Sequence, residues 1–301
     1  MENTIKRIAV LIATYNGERF LCEQIDSVTN QIGVKVSVLI RDDGSTDGTI
    51  DILNKYQSEG KVNWFNNKHM NAAENFFELL KKTKHADYYA FCDQDDKWYE
   101  DKLLIAVNQL EKTDNHKGAL YCCGSRLVNE KLEFIKYHKM DVNRSLEARL
   151  FFANVAGNTM VLDNHLREKI IKYSPRNMIM HDAWIFDLAL CLGSDIIVDP
   201  EPHLDYRQHR NNVVGMELNF QAKIKKFIKI INEKLVYKQL MEIKQAYASE
   251  IIEEYNNILE LTEDAKQNFG KRVQLAFDKR IKFNNLFFDL AFKLKVLSNN
   301  L

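Results

Sequence analysis

The chain has 301 residues, enough to bury a sizeable core in one large domain or two smaller ones. Hydrophobic residues make up 46% and charged residues 28%, which excludes a disordered chain; Lys plus Arg and Asp plus Glu balance at 42 each, so nothing global argues for nucleic-acid binding. Five cysteines without a C-x-x-C pair or zinc-like Cys/His spacing suit a reducing compartment.

Lys6-Arg7 ahead of an apolar stretch imitates a signal peptide. The stretch stops at Asn16-Gly17-Glu18-Arg19 with no small-residue cleavage pattern, and no apolar run approaches the ~18 residues of a membrane span. The expectation is a cytoplasmic protein, soluble or peripheral on the cytoplasmic face of the membrane.

In chain order, residues 8 to about 124 alternate short apolar runs with longer amphipathic ones, the pattern of βα units in a mostly parallel sheet. Strands are predicted at 8–13, 36–40, 62–65, 88–92 and 119–123. Between them Leu21, Ile25 and Val28 share a helical face, as do Phe76, Leu79 and Leu80, then Leu103, Val107 and Leu110. From 125 to 215 the pattern loosens, with a strand at 159–162, a helix at about 181–192, and loops marked by Pro175, Pro200 and Pro202. From about Leu218 the chain reads as helix, interrupted at Gly270, with an apolar stripe at Phe220, Ile224, Phe227, Ile231 and Leu235. Charge there is segregated: residues 221–238 hold six lysines and one glutamate, 239–264 seven acids and one lysine, 265–295 eight basic residues and two acids.

Polar chemistry concentrates at the strand ends. After 88–92 comes Asp93-Gln94-Asp95-Asp96, carboxylates that repel one another and are costly to desolvate unless a cation sits among them; hard oxygen ligands point to Mn²⁺ or Mg²⁺. An acidic helix cap before Lys97-Trp98-Tyr99 is the alternative. The first strand runs into Ala13-Thr14-Tyr15-Asn16-Gly17-Glu18, a polar turn that either presents donors to a ligand or caps the next helix. The second ends in Arg41-Asp42-Asp43-Gly44-Ser45-Thr46-Asp47, where a carboxylate can accept from a base N–H or a ribose hydroxyl. Both the G-x-G-x-x-G loop and the Walker loop are missing, so a bound nucleotide diphosphate needs a metal to carry its charge.

These three segments in this order resemble the family 2 glycosyltransferases, inverting enzymes with a GT-A fold. His181-Asp182-Ala183-Trp184 is similar to the family's catalytic-base motif, Gly157-Asn158-Thr159-Met160 to the strand lining its acceptor site, and Tyr206-Arg207-Gln208-His209 with Asn211-Asn212-Val213-Val214-Gly215 to the closing segment of its rhamnosyltransferase-like branch. The resemblance covers roughly residues 5 to 215. It implies a doubly wound GT-A catalytic domain over 1–215, binding nucleotide sugar through 1–124 and acceptor through 125–215, followed by a helical region over 216–301.

By position, the resemblance puts Asp43 on the base with Thr14, Tyr15 and Asn16 around it. It puts Asp93 on the ribose and sugar, Asp95 on the metal with Asp96 as the alternative ligand, and Asp182 as general base. Gly157, Asn158 and Trp184 fall on the acceptor side. His209 reads as a metal ligand, a phosphate donor or a solvated loop residue. A departure stands at Met70, Asn71 and Glu74, where many members carry a glycine and an arginine before the asparagine of the third helix. The other histidines, including His69, His85 and His116, read as surface residues.

The implied reaction is metal-dependent, inverting sugar transfer from a nucleotide diphosphate, dTDP-L-rhamnose first and a UDP-hexose next. Its acceptor is a hydroxyl of a bacterial surface polysaccharide or a lipid-linked glycan precursor. A nucleotidyltransferase of sugar phosphates and a non-catalytic nucleotide-sugar-binding module are the alternatives. Phe283, Phe287, Phe288 and Phe292 with Arg280, Lys282, Lys293 and Lys295 read either as packing helices, a homo-oligomer interface included, or as a surface for anionic lipid.

Overall fold

Alternation along the strands sets the architecture. In β1 (Arg7–Thr14) Ile8, Val10 and Ile12 enter one apolar core while Ala9 and Leu11 enter another, the period of two that a sheet covered on both faces requires. The computed structural model describes residues 5–67, 69–114, 116–152, 155–209 and 235–301. The closing segment from Asn211 to Gly215 and the stripe residues Phe220, Ile224, Phe227 and Ile231 lie outside the described residues.

β2 (Lys35–Asp42), β3 (Val62–Asn66) and β4 (Tyr88–Cys92) lie parallel with β1 in the order β3-β2-β1-β4. Next to β4 comes β8 (Met160–Asp163), antiparallel to it, then β6 (Ala119–Val128), β9 (Asp195–Arg207) and the short β5 (Lys97–Trp98). β7 (Phe134–His138) hangs on β6. The strand order reverses at β1, with β2 and β3 laid down on one side of it and β4 on the other, and such a switch point in an open α/β sheet leaves a crevice beyond the carboxyl ends of the strands.

Helices α1 (Leu21–Thr29), α2 (Thr49–Ser58) and α4 (Lys102–Leu110) cover one face through Leu21, Ile25, Val28, Leu53, Leu103 and Leu110. On the other face lie α3 (Ala72–Lys82), the single turn α5 (Leu146–Arg149), α6 (Asn164–Ile171) and α7 (His181–Cys191). Four further helices, α8 (Leu235–Ala246), α9 (Glu253–Ala265), α10 (Phe269–Ala276) and α11 (Leu286–Leu297), add Leu240, Ile243, Ile258, Leu259, Phe292 and Val296 to that same core. This is the mixed α/β class with helical C-terminal elements that the periodicity predicts.

Local expectations fail in three places. Pro200 and Pro202 lie inside β9 rather than in loops, and the pairing with β6 slips around Gly124 and Pro202, where a residue without an N–H is tolerated. Gly270 sits within α10, and the break falls before it: Asn268 caps that helix by accepting from the Lys271 amide. Of the basic and aromatic C-terminal residues, Phe283, Phe292 and Lys295 are buried and face the core. The outward apolar rows belong to Phe269, Val273 and Phe277 on and just after α10, and to Leu286, Leu290 and Leu294 on α11, each at a spacing of four residues.

Candidate active site

The polar turns after β1, β2 and β4 are tied to one another. After β1, Asn16 takes a left-handed backbone (φ 49°), its amide donating to Ser45 Oγ at 2.8 Å and its Oδ1 accepting from the Thr46 amide at 2.8 Å. Gln94 then clamps the first turn to the third. Its Oε1 accepts from Thr14 Oγ1 (2.7 Å) and the Tyr15 amide (2.9 Å), and its Nε2 donates to the Tyr15 carbonyl (3.1 Å). A Cβ on residue 17 would lie 2.6 Å from Gln94 Oε1 and 2.8 Å from Thr14 Oγ1, so the clamp demands glycine there.

Asp43 is held by Arg41, a fully buried guanidinium whose Nη1 donates to Asp43 Oδ1 at 2.8 Å while its Nε reaches Glu78 at 2.6 Å. The Met70 amide donates to the same Asp43 oxygen at 3.0 Å, so the segment departing from the family pattern still contributes a backbone contact. The other oxygen meets His69 Nδ1 at 2.6 Å. His69 is solvent-exposed as expected, yet it has this partner, and its ring centroid stands 6.2 Å from that of half-exposed Tyr15. No local spacing signals this pairing, because it spans two loops.

Past β4, the Asp93 carboxylate makes no hydrogen bond among the described residues. Burial, then the charges of Asp95 and Asp182, push its pKa up to about 7 against the pull of Lys102. Asp95 Oδ2 meets His209 Nε2 at 2.5 Å. Asp96 is sealed, with Asn158 Nδ2 donating to one oxygen and the Arg207 amide to the other at 3.3 Å. Burial, then the neighbouring Asp95 and Asp93, raise its pKa well above the carboxylate range. A carboxyl engaged inward on both oxygens has no face for an ion from solvent, which removes the case for Asp96 as the alternative ligand.

The fit of a divalent cation can be judged from the donors present. A carboxylate oxygen and an imidazole nitrogen converge at Asp95 and His209, and no group of three acidic, His or Cys side chains able to hold an ion alone occurs among the described residues. Two protein donors suit an ion that completes its shell with substrate phosphate oxygens and water, and a mixed O/N pair suits Mn²⁺ better than Mg²⁺.

Two buried cations stand beside these acids, Lys102 unmarked by any motif and Arg207 within the closing one. Lys102 lies fully buried at the start of α4, its Nζ donating to the Asn158 carbonyl at 2.7 Å and standing 3.1 Å over the Trp98 ring. Burial draws its pKa down to about 8, while Asp96 and Asp93 favour the charge. Arg207 donates to the Asp95 carbonyl at 2.8 Å and also bonds the Glu130 carbonyl and the Glu23 carboxylate. Both have the signature of a surface cation in the sequence; only the crowding of acids at one sheet edge draws them inward.

Asp182 opens α7, half-buried, its oxygens accepting from the amides of Gly157 (3.0 Å) and Ala183 (2.7 Å). Burial raises its pKa to about 6 despite these bonds. Next to it His181 is buried between Phe76 and Phe91, both ring nitrogens without a partner among the described residues, and burial holds it neutral with a pKa of about 3. A Cβ at residue 157 would lie 2.2 Å from His181 Nε2, so glycine is required where the chain donates to Asp182. Two residues expected on the acceptor side lie inside the protein instead. Trp184 is a core residue at 0% exposure, and Asn158, at 2%, points its amide to Asp96. Both support the site from behind and offer no surface to an incoming hydroxyl.

A GT-A sheet with acidic turns gathered at its switch point is thus the frame, and the comparisons agree with it. The glycosyl transferase family 2 model matches residues 9–168, more than half of the chain, and the chain belongs to that family. Among relatives, it is 30% identical over 256 residues to the dTDP-rhamnosyl transferase RfbG of Shigella flexneri, across 79% of this chain and 85% of that one. Among solved structures, TarS residues 1–349 of Staphylococcus aureus, in complex with UDP, covers 97% of this chain and 90% of its own at TM-score 0.56 and 16% identity. The mannosyltransferase PcManGT of Pyrobaculum calidifontis, in complex with GDP-Man and Mn²⁺, covers 99% and 88% at TM-score 0.56 and 14% identity. The protein is therefore a glycosyltransferase, which sets aside the nucleotidyltransferase and binding-module alternatives. No helix among the described residues is long and apolar enough to cross a membrane.

Proposed function

We propose that this enzyme transfers a sugar, with inversion and with a divalent metal, from a nucleotide diphosphate to a hydroxyl of a bacterial surface polysaccharide or its lipid-linked precursor. The observation that carries the reading is the geometry of the acidic turns: Asp95 meets His209 at 2.5 Å after β4, and Asp182 at the start of α7 is anchored by the Gly157 amide at 3.0 Å. The donor choice, dTDP-L-rhamnose with a UDP-hexose next, rests on the relative's name and on the Tyr206-Arg207-Gln208-His209 sequence.

In this reading Tyr15, Asn16 and Asp43 take the nucleoside, with Tyr15 and His69 as aromatic neighbours of the base, while Thr14, expected to contact it, is buried and fixes the turn through Gln94 instead. Asp93 accepts from sugar hydroxyls. Asp95 and His209 would hold Mn²⁺ or Mg²⁺, which supplies positive charge to the departing diphosphate. Asp182 accepts the proton of the attacking hydroxyl. With a pKa of about 6 it is ionised at neutral pH, yet a stronger base than an exposed carboxylate. One carboxylate suffices, since attack opposite the leaving group needs no covalent intermediate.

We assign catalysis to residues 1–215, supported by helices α8 to α11 packed on the same core, and place it at the cytoplasmic face because a charged nucleotide sugar does not cross a bilayer. The outward rows Phe269, Val273, Phe277 and Leu286, Leu290, Leu294 stand among Lys271, Arg272, Lys282 and Lys293, a composition suited to anionic headgroups. Incubation with dTDP-L-rhamnose and UDP-hexoses in Mn²⁺ or Mg²⁺, with release of nucleoside diphosphate as readout, tests the donor. Turnover only with other nucleotide sugars overturns that choice.

A further inference from the structure

Residues 174–180, between α6 and the base-bearing α7, belong to no helix or strand, so their amides need partners from elsewhere. Two side chains on α8, one turn apart, supply three. Glu242 Oε1 accepts from the Arg176 amide at 2.8 Å, and its Oε2 from the Asn177 amide at 2.8 Å and Asn177 Nδ2 at 2.8 Å. Gln239 Oε1 accepts from the Ile179 amide at 2.9 Å. Both side chains are buried. Each also grips the framework around α7. Glu242 Oε1 takes Tyr173 Oη at 2.9 Å, the Tyr173 ring being stacked 6.2 Å from that of Trp184, and Gln239 Nε2 donates to Asp187 Oδ2 at 2.8 Å.

The loop itself offers little to hold that end of α7. Met180, at the N-cap position, has no capping oxygen, and Asp182 spends its own carboxylate on the Gly157 and Ala183 amides. The first turn of a helix is its least constrained part, and here it bears the group that must meet the acceptor.

We propose that Gln239 and Glu242 are positioning residues for acceptor activation: by fixing the backbone of 174–180 they hold Asp182 and the half-exposed loop beside it in the geometry that receives the acceptor, without touching the donor. The inference rests on Asp182 being the general base. It gives α8 a role in turnover beyond packing. The partly buried Met180, two residues before Asp182, becomes part of the surface along which acceptors are discriminated.

The test compares Glu242→Gln, which turns an amide nitrogen toward an N–H donor, and the near-isosteric Gln239→Met with wild type and with Asp182→Asn. Turnover at saturating donor should fall about tenfold in each α8 variant, with donor KM unchanged and acceptor KM raised. Hydrogen exchange at the amides of 176, 177 and 179 should lose protection while the β1 and β4 amides keep theirs. Loss of loop protection with wild-type turnover and acceptor KM overturns the inference, leaving a structural anchor only. An equal rise in donor KM overturns it as well. Wild-type turnover in Asp182→Asn would instead sink the base assignment on which it rests. Should Glu242→Gln fail to fold, Gln239→Met carries the test alone, its loop amide at 179 being the readout.

Discussion

Replacing Asp182 by asparagine separates a general base from a helix cap, because the amide keeps an accepting oxygen and loses the proton acceptor. Loss of general-base assistance costs roughly 10²–10⁴ in rate, about 3–5 kcal/mol of barrier. The stability signature is independent of that loss. Burial raises the Asp182 pKa from 3.8 to about 6, so between these values the folded state holds more protons than the unfolded one, and stability falls as pH rises through the window. Asparagine has no such dependence. The difference in unfolding free energy between variant and wild type should therefore shift in the variant's favour by at most about 3 kcal/mol from pH 4 to pH 7, and by about half of that since one side of the carboxylate opens to the cleft. Comparing the two pH values cancels the pH-independent cost of a weaker cap. Urea unfolding at several pH values, beside turnover read as released nucleoside diphosphate, gives both numbers. Wild-type turnover would leave Asp182 a cap only, and a stability difference that does not move with pH would mean its carboxyl is not raised. In the wild type kcat should drop as pH falls below about 6, in a limb shared by Asp182 and Asp93.

The remaining predictions concern the donor turns, the metal and the outer surface. Gly17→Ala should raise the donor KM tenfold or more, and Gln94→Ala should relieve much of that, since the alanine Cβ collides with Gln94 Oε1 at 2.6 Å; additive effects in the double variant would deny the clamp. Asp95→Asn and His209→Ala should each weaken Mn²⁺ binding measured by calorimetry with nucleoside diphosphate present and abolish metal-stimulated transfer; full activity of either variant in a chelator removes the metal reading. Leu286→Glu with Leu290→Glu should reduce sedimentation with anionic vesicles at low salt and leave transfer to a soluble acceptor unchanged, whereas a wild-type protein that ignores such vesicles makes these rows a surface for another occupant.

Much of the sheet was legible because the apolar runs at β1, β2, β4 and β6 are long, unbroken and separated by helical periodicity. Strand β9 was not, since its prolines argue against pairing and only the slipped register with β6 accommodates them. At the site, acidic pairs after apolar runs stand out in any reading. Lys102 and the two pins on α8 do not: each is an ordinary polar residue on a helix until the Asn158 carbonyl or the unpaired loop it serves is brought beside it from far along the chain. Trp184 misled for the opposite reason, since a motif places it near the chemistry while stacking on Tyr173 and the apolar side chains around it hold its ring in the core. The C-terminal phenylalanines divided likewise, Phe283 and Phe292 inward and Phe287 outward, a choice that helical spacing alone leaves open.

The central claim, that one carboxylate activates an acceptor hydroxyl for direct displacement, is tested most directly by the anomeric configuration of the product. With dTDP-L-rhamnose, Mn²⁺ and a glycan acceptor, NMR of the early product should show a rhamnosyl linkage of configuration opposite to the donor's, formed by wild type and lost in Asp182→Asn. A product that retains the donor's configuration would mean a covalent or front-face route in which Asp182 is not the base for direct displacement.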